Sequence, residues 1–116
     1  MNKIFIWLDD EREVPNYWKA AINRGKLANK IFRNAEDLIK WYAENLNEYE
    51  HFFISFDHDL GSGMTGYDMA KYIVEHKLPV SGFASHSMNP VGRKNIITLL
   101  SHYGYKEMKY TSDILK

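Results

Sequence analysis

Three short apolar runs dominate the sequence, and each of them ends in a cluster of polar side chains. The runs cover residues 4–8, 51–56 and 80–84, and the clusters that follow are Asp9-Asp10, Asp57-His58-Asp59 and Ser85-His86-Ser87. Almost continuous apolar character over so few residues is typical of strands that are covered on both faces, as in a parallel sheet. Because the carboxyl ends of parallel strands meet at one edge, we expect these acids and imidazoles to line a single crevice.

Helix signals separate the apolar runs and complete an alternating pattern. Asn34 can cap the second helix, Thr65 with Asp68 three residues later can form a capping box for the third, and Asn89 stands before a proline at the start of the fourth. A weakly alternating segment over residues 106–110 is the candidate for a fifth strand. The pattern predicts an α/β three-layer sandwich with a five-stranded parallel sheet, and right-handed crossovers favour the flavodoxin-like order 2-1-3-4-5.

Length and charge narrow the class of protein. A chain of 116 residues without a Pro/Gly/Ser-rich linker is expected to form one domain over residues 1–116. Lys and Arg total 15, as do Asp and Glu, so no net charge attracts an extended duplex nucleic acid. The chain has no cysteine for a thiolate metal site, and no apolar run approaches the roughly 20 residues that cross a bilayer. We therefore expect a cytoplasmic protein that makes no membrane contact.

Four carboxylates fall at the ends of the first and third predicted strands: Asp9, Asp10, Asp57 and Asp59. Crowded into one crevice, they repel each other and destabilise the fold unless a cation neutralises them. Mg²⁺ or Mn²⁺, with oxygen ligands and retained waters, is the kind of ion that such a group favours. The competing interpretation is that an aspartate pair after a strand simply caps a turn. Two acidic clusters on neighbouring strand ends favour the metal.

Two histidines belong to the same predicted edge. His86 stands between the fourth strand and the fourth helix, and His58 follows Asp57 directly. An imidazole whose pKa is near neutrality can donate or accept a proton, so both histidines are candidates for acid–base catalysis, and His86 is the stronger one. The alternative for either residue is a structural, hydrogen-bonded histidine.

The start of the fourth helix is a candidate anion site. Its free backbone N–H groups and the positive end of its dipole face the predicted crevice, and Arg93 lies in its first turn. Ser87 and Asn89 are further candidates to hold phosphate oxygens, as is Arg12 after the first strand. The alternative for both arginines is simple pairing with a surface carboxylate. A metal, an imidazole and an anion site together indicate phosphate chemistry.

The acidic residues also carry a resemblance to known proteins. Asp9-Asp10, Asp57 and Thr65-Gly66 resemble the response-regulator receiver domain, although receivers carry Lys-Pro at the end of the fifth strand and Lys109 is followed by tyrosine. Three longer blocks are similar to a divergent branch, the cyclic-phosphate processing receiver domain family. They are Leu8-Asp9-Asp10-Glu11-Arg12 with Pro15, Ser55-Phe56-Asp57-His58-Asp59-Leu60-Gly61 with Thr65-Gly66-Tyr67-Asp68, and His86-Ser87-Met88-Asn89-Pro90-Val91-Gly92-Arg93.

The resemblance implies a receiver-like fold and a metal-dependent phosphoesterase. Its substrates would be cyclic phosphates, such as cyclic nucleotides or the 2′,3′-cyclic ends of damaged RNA. In receivers the third-strand aspartate, here Asp57, accepts a phosphoryl group, so Asp57 can be a nucleophile or a metal ligand. A second hypothesis is a signalling or partner-binding module that is phosphorylated at Asp57 or is catalytically inactive. The sequence leaves the substrate, the metal and the oligomeric state open.

Overall fold

A computed structural model describes residues 2–116 as a parallel sheet with helices on both faces. The strands are Lys3–Leu8 (β1), Ala28–Phe32 (β2), His51–Phe56 (β3) and Gly82–Ser85 (β4). The helices are Asn16–Gly25 (α1), Ala35–Asn45 (α2), Gly66–His76 (α3) and Pro90–His102 (α4), and a 3₁₀ helix covers Thr111–Leu115. Within residues 2–116, no helix combines the length and the apolar character needed to cross a membrane.

The strand order is β2-β1-β3-β4, and every neighbouring pair is parallel. β1 and β3 are therefore the central strands, and Leu8 lies opposite Phe56 at their carboxyl ends. Hydrogen bonding continues one residue past the strands. The N–H of Asp57 donates to Leu8 (2.8 Å), that of His86 donates to Phe56 (3.0 Å), and that of Asp9 donates to the last residue of β2 (3.1 Å). Backbone pairing alone thus places three polar residues side by side at the carboxyl edge.

Alternation of side chains along the strands divides the core into two layers. One layer lies under α2, α3 and α4 and includes the buried residues Ile4, Ile6, Leu8, Phe52, Ile54, Phe56, Leu38, Met69 and Ile96. The other lies under α1 and the 3₁₀ helix and includes Phe5, Trp7, Phe53, Trp18, Ile22 and Ile114. Both faces of the central strands are covered, which explains why their sequences are apolar at successive positions.

The prediction of a fifth strand, and with it the order 2-1-3-4-5, is wrong. Residues 106–108 run beside β4 but form only a single parallel bridge, between Phe83 and Glu107. Just beyond it, the side chain of Asp113 accepts the backbone N–H groups of Lys109 (2.9 Å) and of the next residue (3.1 Å). Because these donors are bonded to Asp113, they do not extend the ladder, and the chain turns into the 3₁₀ helix.

The predicted starts of three helices are confirmed. The side chain of Asn34 accepts a backbone N–H of α2 at 2.7 Å, and that of Asn89 accepts a backbone N–H of α4 at 3.0 Å. Thr65 and Asp68 form the expected reciprocal capping box at the start of α3. These caps determine where the loops at the carboxyl edge of the sheet give way to helices, and so they limit the extent of the loops that carry the polar clusters.

Gly66, the first residue of α3, lies directly against the backbone of Asp57. Its N–H donates to the carbonyl oxygen of His58 at 2.8 Å, and a Cβ at this position would overlap the carbonyl oxygen of Asp57. We predict that Gly66→Ala lowers the free energy of unfolding by about 1–3 kcal/mol, because neither backbone segment can move without disturbing the sheet edge. Urea denaturation measures the loss.

The matched control for this variant is Gly25→Ala. A Cβ at Gly25 would meet only the side-chain ends of Leu27 and Leu115, which can rotate away. Equal losses of stability in the two variants would contradict the close backbone approach at Gly66.

Candidate functional site

His86 is at the centre of the polar cluster. Its Nε2 lies 2.9 Å from Oδ2 of Asp9, and its Nδ1 lies 2.7 Å from the hydroxyl of Ser55. One face of the ring stacks on Trp7, with 3.7 Å between ring centroids and 7° between planes. Two hydrogen bonds and a stacked aromatic ring therefore determine the orientation of this imidazole.

Ser55, His86 and Asp9 are in hydrogen-bond contact, and the same residue types form nucleophilic triads in hydrolases. Ser55 is unsuited to attack a substrate because none of its surface is exposed (0%). Its hydroxyl can donate to Nδ1 or accept from it, so it holds the ring in either neutral tautomer. Ser55 is therefore a positioning residue. The sequence analysis missed it, since a serine within an apolar strand has no distinguishing pattern.

Asp9 is fully buried (0% exposed) and ionised. Oδ1 accepts the backbone N–H groups of Glu11 (2.9 Å) and Arg12 (2.8 Å), and Oδ2 contacts His86. Burial acts to raise the pKa of Asp9, but these backbone hydrogen bonds and the contact with His86 outweigh it, and the pKa is lowered overall. The loop after β1 thus folds around a carboxylate that is ionised at neutral pH.

Asp57 is buried beside Asp9, and its pKa moves in the opposite direction. Burial raises the pKa of Asp57, and the negative charge of Asp9 raises it further. The guanidinium of Arg12, with Nη2 3.8 Å from Oδ2 of Asp57, offsets part of this effect. The two central strands therefore bring together more negative charge than the neighbouring side chains neutralise.

One donor atom from each of Asp9, Asp57 and His86 lies within 4.8 Å of the other two. The two aspartates, but not His86, line a cleft of about 210 Å³, here named the acidic cleft. Its lining consists of Asp9, Asp10, Glu11, Arg12, Asp57, Asp59 and Met88. All four carboxylates singled out from the sequence line it, with Asp10 half-buried and Asp59 exposed. Carboxylate oxygens suit Mg²⁺ and Mn²⁺, and imidazole suits a transition metal, so the donor set fits a divalent cation.

Arg12 lies between the two buried carboxylates, with Nε 3.1 Å from Oδ2 of Asp9. Its carbonyl oxygen accepts hydrogen bonds from Nε1 of Trp7 (3.0 Å) and from Nη1 of Arg33 (2.8 Å). The same Nη1 also donates to the carbonyl oxygen of Asp9 at 3.2 Å. These bonds fasten the loop that carries Asp9 and Arg12. Arg33 was not predicted because it is an isolated arginine after β2.

His58 is not part of the group formed by Asp9, Asp57 and His86. Its ring packs beneath Gly92 at the start of α4, where a Cβ would overlap it. Its Nδ1 is buried and has no hydrogen-bond partner among the residues that the structure describes. The backbone path after β3 thus carries the His58 ring toward α4.

The residues at the start of α4 have structural partners of their own. Asn89 accepts the N–H of Gly92, and the hydroxyl of Ser87 accepts the N–H of Asn89 at 3.1 Å. Arg93 is exposed and lines a second cleft, of about 350 Å³, together with Arg12 and His86. Of the four predicted phosphate-binding residues, Arg12, Arg93 and Ser87 line the second cleft, and Ser87 is also bonded to the loop backbone. Asn89 lines neither cleft and caps α4.

The comparison with protein-family models decides the family. A model described as the cyclic-phosphate processing receiver domain matches residues 4–102. The chain belongs to this family. The matched part of this receiver domain includes all residues of the acidic cleft and all of α4, and it ends before the segment in which the predicted fifth strand is missing. No curated protein matches the chain.

Two solved structures show which fold the chain shares. It is similar to the signal receiver domain of a protein described as a Luxo repressor from Vibrio parahaemolyticus, with a TM-score of 0.63 and 17% identity, covering 99% of this chain and 85% of that one. It is also similar to a response regulator from Colwellia psychrerythraea, with a TM-score of 0.58 and 20% identity, covering 98% and 90%. The receiver-like, flavodoxin-type fold is therefore shown, with four strands in the sheet.

The lowered pKa of His86 predicts how the stability of the fold depends on pH. Burial lowers the pKa of His86 to about 4, although Asp9 acts to raise it, whereas a histidine in an unfolded chain titrates near 6.5. Between these values the unfolded chain binds a proton that the folded chain does not. The free energy of unfolding should therefore fall by about 1–3 kcal/mol as the pH drops from 6.5 toward 4.

Urea denaturation at several pH values measures this slope, and His86→Gln provides the comparison because it removes the titrating group. We expect the variant to lose the part of the slope that lies between pH 6.5 and 4. A ring proton resonance of His86 that titrates near 6.5 in the folded protein would contradict the effect of burial.

Proposed function

We propose that this receiver domain is a metal-dependent phosphoesterase that hydrolyses cyclic phosphates. The observation that carries the proposal is the convergence of Asp9, Asp57 and His86, whose donor atoms lie within 4.8 Å of one another beside the guanidinium of Arg12. Membership of the cyclic-phosphate processing receiver domain family supports the choice of substrate class.

Asp9, Asp57 and His86 are the residues that would hold the cation. Asp10 and Asp59 line the acidic cleft beside the two buried aspartates. A bound Mg²⁺ or Mn²⁺ would supply positive charge to neutralise a phosphate oxygen and orient the attacking water. The pKa of about 4 keeps His86 neutral at pH 7, and a neutral imidazole is the ligand form. We therefore assign His86 a ligand role in preference to acid–base catalysis.

Asp57 is the group in the cleft best suited to handle a proton. It faces the acidic cleft, and a carboxylate has two oxygens, so one would hold the cation while the other accepts a proton. In the proposed reaction, water attacks phosphorus, one of the two ring P–O ester bonds breaks, Asp57 accepts the proton of the water, and solvent protonates the leaving alkoxide. Arg12, whose side chain is 44% exposed, can turn to the non-bridging oxygens and offset their charge.

The first test removes the hydrogen bond between Ser55 and His86. Ser55→Ala should lower Mn²⁺ affinity about 10–100-fold, because a ligating histidine depends on the partner of its other ring nitrogen. Ser62→Ala is the matched control, since Ser62 is exposed in the loop before α3. Calorimetric titration with Mn²⁺ measures the affinity.

Turnover is measured in the same experiment with 2′,3′-cyclic and 3′,5′-cyclic nucleotides and Mn²⁺. Asp57→Asn should lower the rate by about 100-fold or more, because the variant loses both a ligand and a base. If the wild-type protein binds Mn²⁺ and leaves every cyclic phosphate intact, the enzymatic function is wrong. If Ser55→Ala and Ser62→Ala bind Mn²⁺ equally well, the ligand role of His86 is wrong.

The receiver-like fold and the position of Asp57 after β3 also favour a second function, a signalling module that is phosphorylated at Asp57. In the receiver pattern a strand-five lysine stabilises the phosphorylated form. Lys109 is exposed, its N–H is bonded to Asp113, and it does not line the acidic cleft. The residues that would support a lasting phosphoaspartate thus differ from those of receivers.

Beryllofluoride, which mimics a phosphoryl group on aspartate, tests this second function. We expect no stable complex, because Lys109 lies outside the acidic cleft. Nuclear magnetic resonance spectra recorded with Mg²⁺, with and without beryllofluoride, provide the measurement. Saturable shifts that spread from Asp57 to α4, and that Asp57→Asn abolishes, would contradict our expectation and favour the signalling module.

A further inference from the structure

A second cleft lies beside the acidic cleft and differs from it in character. Its volume is about 350 Å³, and we name it the aromatic cleft, after Trp7 and Tyr17 in its lining; Pro15, Met88, Arg12 and Arg93 also line it. Ligand sites in proteins usually begin at about 300 Å³ and combine apolar walls with a few polar groups. The aromatic cleft meets the size condition, and apolar side chains form part of an otherwise polar wall. Of its lining, the proposed chemistry uses only Arg12 and His86.

Tyr17 and Met88 are unusually exposed for side chains of their size. Tyr17 is 59% exposed and Met88 is 82% exposed, and they are two of only six large apolar side chains so exposed among residues 2–116. The nearest aromatic contact of Tyr17 is Trp18, with a tilted geometry and ring centroids 6.3 Å apart. Much of the phenol ring is therefore available to a flat ligand, and the thioether of Met88 lines the same cleft.

The two clefts are neighbours and share two lining side chains. Arg12 and Met88 line both of them, and His86 lines the aromatic cleft while its Nε2 faces Asp9. A single ligand can therefore place an anionic group at Arg12 and the carboxylates, and an apolar, flat group against Tyr17. The charged side chains in the lining of the aromatic cleft are Arg12, Arg93 and the carboxylate of Glu13. This balance of charge suits one phosphate group and not an extended polyanion.

We propose that the aromatic cleft is a nucleoside subsite, which binds the base and ribose of a nucleoside cyclic phosphate with the base against Tyr17 and Met88. This inference rests on the proposed function, because it assigns the non-reacting part of that substrate. Stacking on an aromatic side chain accepts any base, so the subsite recognises a nucleoside and does not read its sequence. The terminal nucleotide of an RNA and a free mononucleotide share this chemistry.

The test compares two ligands that have the same cyclic phosphate and differ in the base. Adenosine 2′,3′-cyclic phosphate carries a nucleoside, and glycerol 1,2-cyclic phosphate does not. With Mn²⁺ present, Tyr17→Ala should weaken binding of the adenosine compound about 5- to 100-fold, the range that loss of base–aromatic stacking gives. Binding of the glycerol compound should not change, and Tyr17→Phe should bind both compounds as the wild type does.

Tyr103→Ala is the matched control, since Tyr103 is 58% exposed and lines neither cleft. If the wild type binds the two compounds equally, or if Tyr17→Ala and Tyr103→Ala bind the adenosine compound equally, the subsite is wrong and the proposed function is unaffected.

A short RNA with the same cyclic end should bind like the mononucleotide if one nucleotide is recognised. Much tighter binding of the RNA would overturn the limit to a single nucleotide.

Adenosine alone separates failure of the subsite from failure of the proposed function. In nuclear magnetic resonance titrations without metal, it should shift the signals of Tyr17 and Met88. Such shifts together with no hydrolysis of any cyclic phosphate would support the subsite and reject the phosphoesterase. The absence of shifts from both adenosine and its cyclic phosphate would overturn the subsite whatever the turnover.

Discussion

The parallel pairing of β1 with β3 is the interaction on which the site depends. The N–H of Asp57 donates to Leu8 at 2.8 Å, one residue beyond the paired strands, so two carboxylates are brought together by backbone hydrogen bonds. Apolar side chains on both faces of these strands stabilise the pairing, at roughly 1.5–3 kcal/mol for each large side chain removed from water. That stability is large enough to tolerate some repulsion between Asp9 and Asp57.

The structure limits this repulsion in two ways that have different consequences. Backbone N–H groups and His86 stabilise the charge of Asp9, so the loop after β1 depends on its being ionised. Asp57 receives less compensation, and its pKa is raised by burial and by the charge of Asp9. Arg12 compensates in part, through a side chain that remains nearly half exposed. A cation at this point would stabilise the fold and prepare the site for a phosphate, and this links the folding of the edge to the proposed chemistry.

The edge itself was predictable from the sequence, because strand ends and the parallel order determine which residues meet. The convergence of the residues after β1, β3 and β4 follows from these features. The absence of a fifth strand was not predictable from the sequence. The backbone N–H groups beyond residue 108 donate to the side chain of Asp113 instead of extending the sheet, and the periodicity of the sequence does not reveal this competition. Ser55 and Arg33 were missed for a similar reason, because their roles depend on partners that are distant in sequence. These partners are His86 for Ser55 and the carbonyl oxygens of Asp9 and Arg12 for Arg33. The direction of the His58 ring depends on the space left beside Gly92, which only the packing of α4 shows.

The proposed function requires a divalent cation between the ends of the two central strands. Anomalous X-ray diffraction from crystals soaked in Mn²⁺ tests it most directly, because the scattering locates the ion without assumptions about turnover. Our account predicts one strong peak within bonding distance of Asp57 and of Asp9 or His86, with the guanidinium of Arg12 displaced from the carboxylates. A peak held only by Asp10 and Asp59 at the rim, or no peak at saturating Mn²⁺, would contradict it.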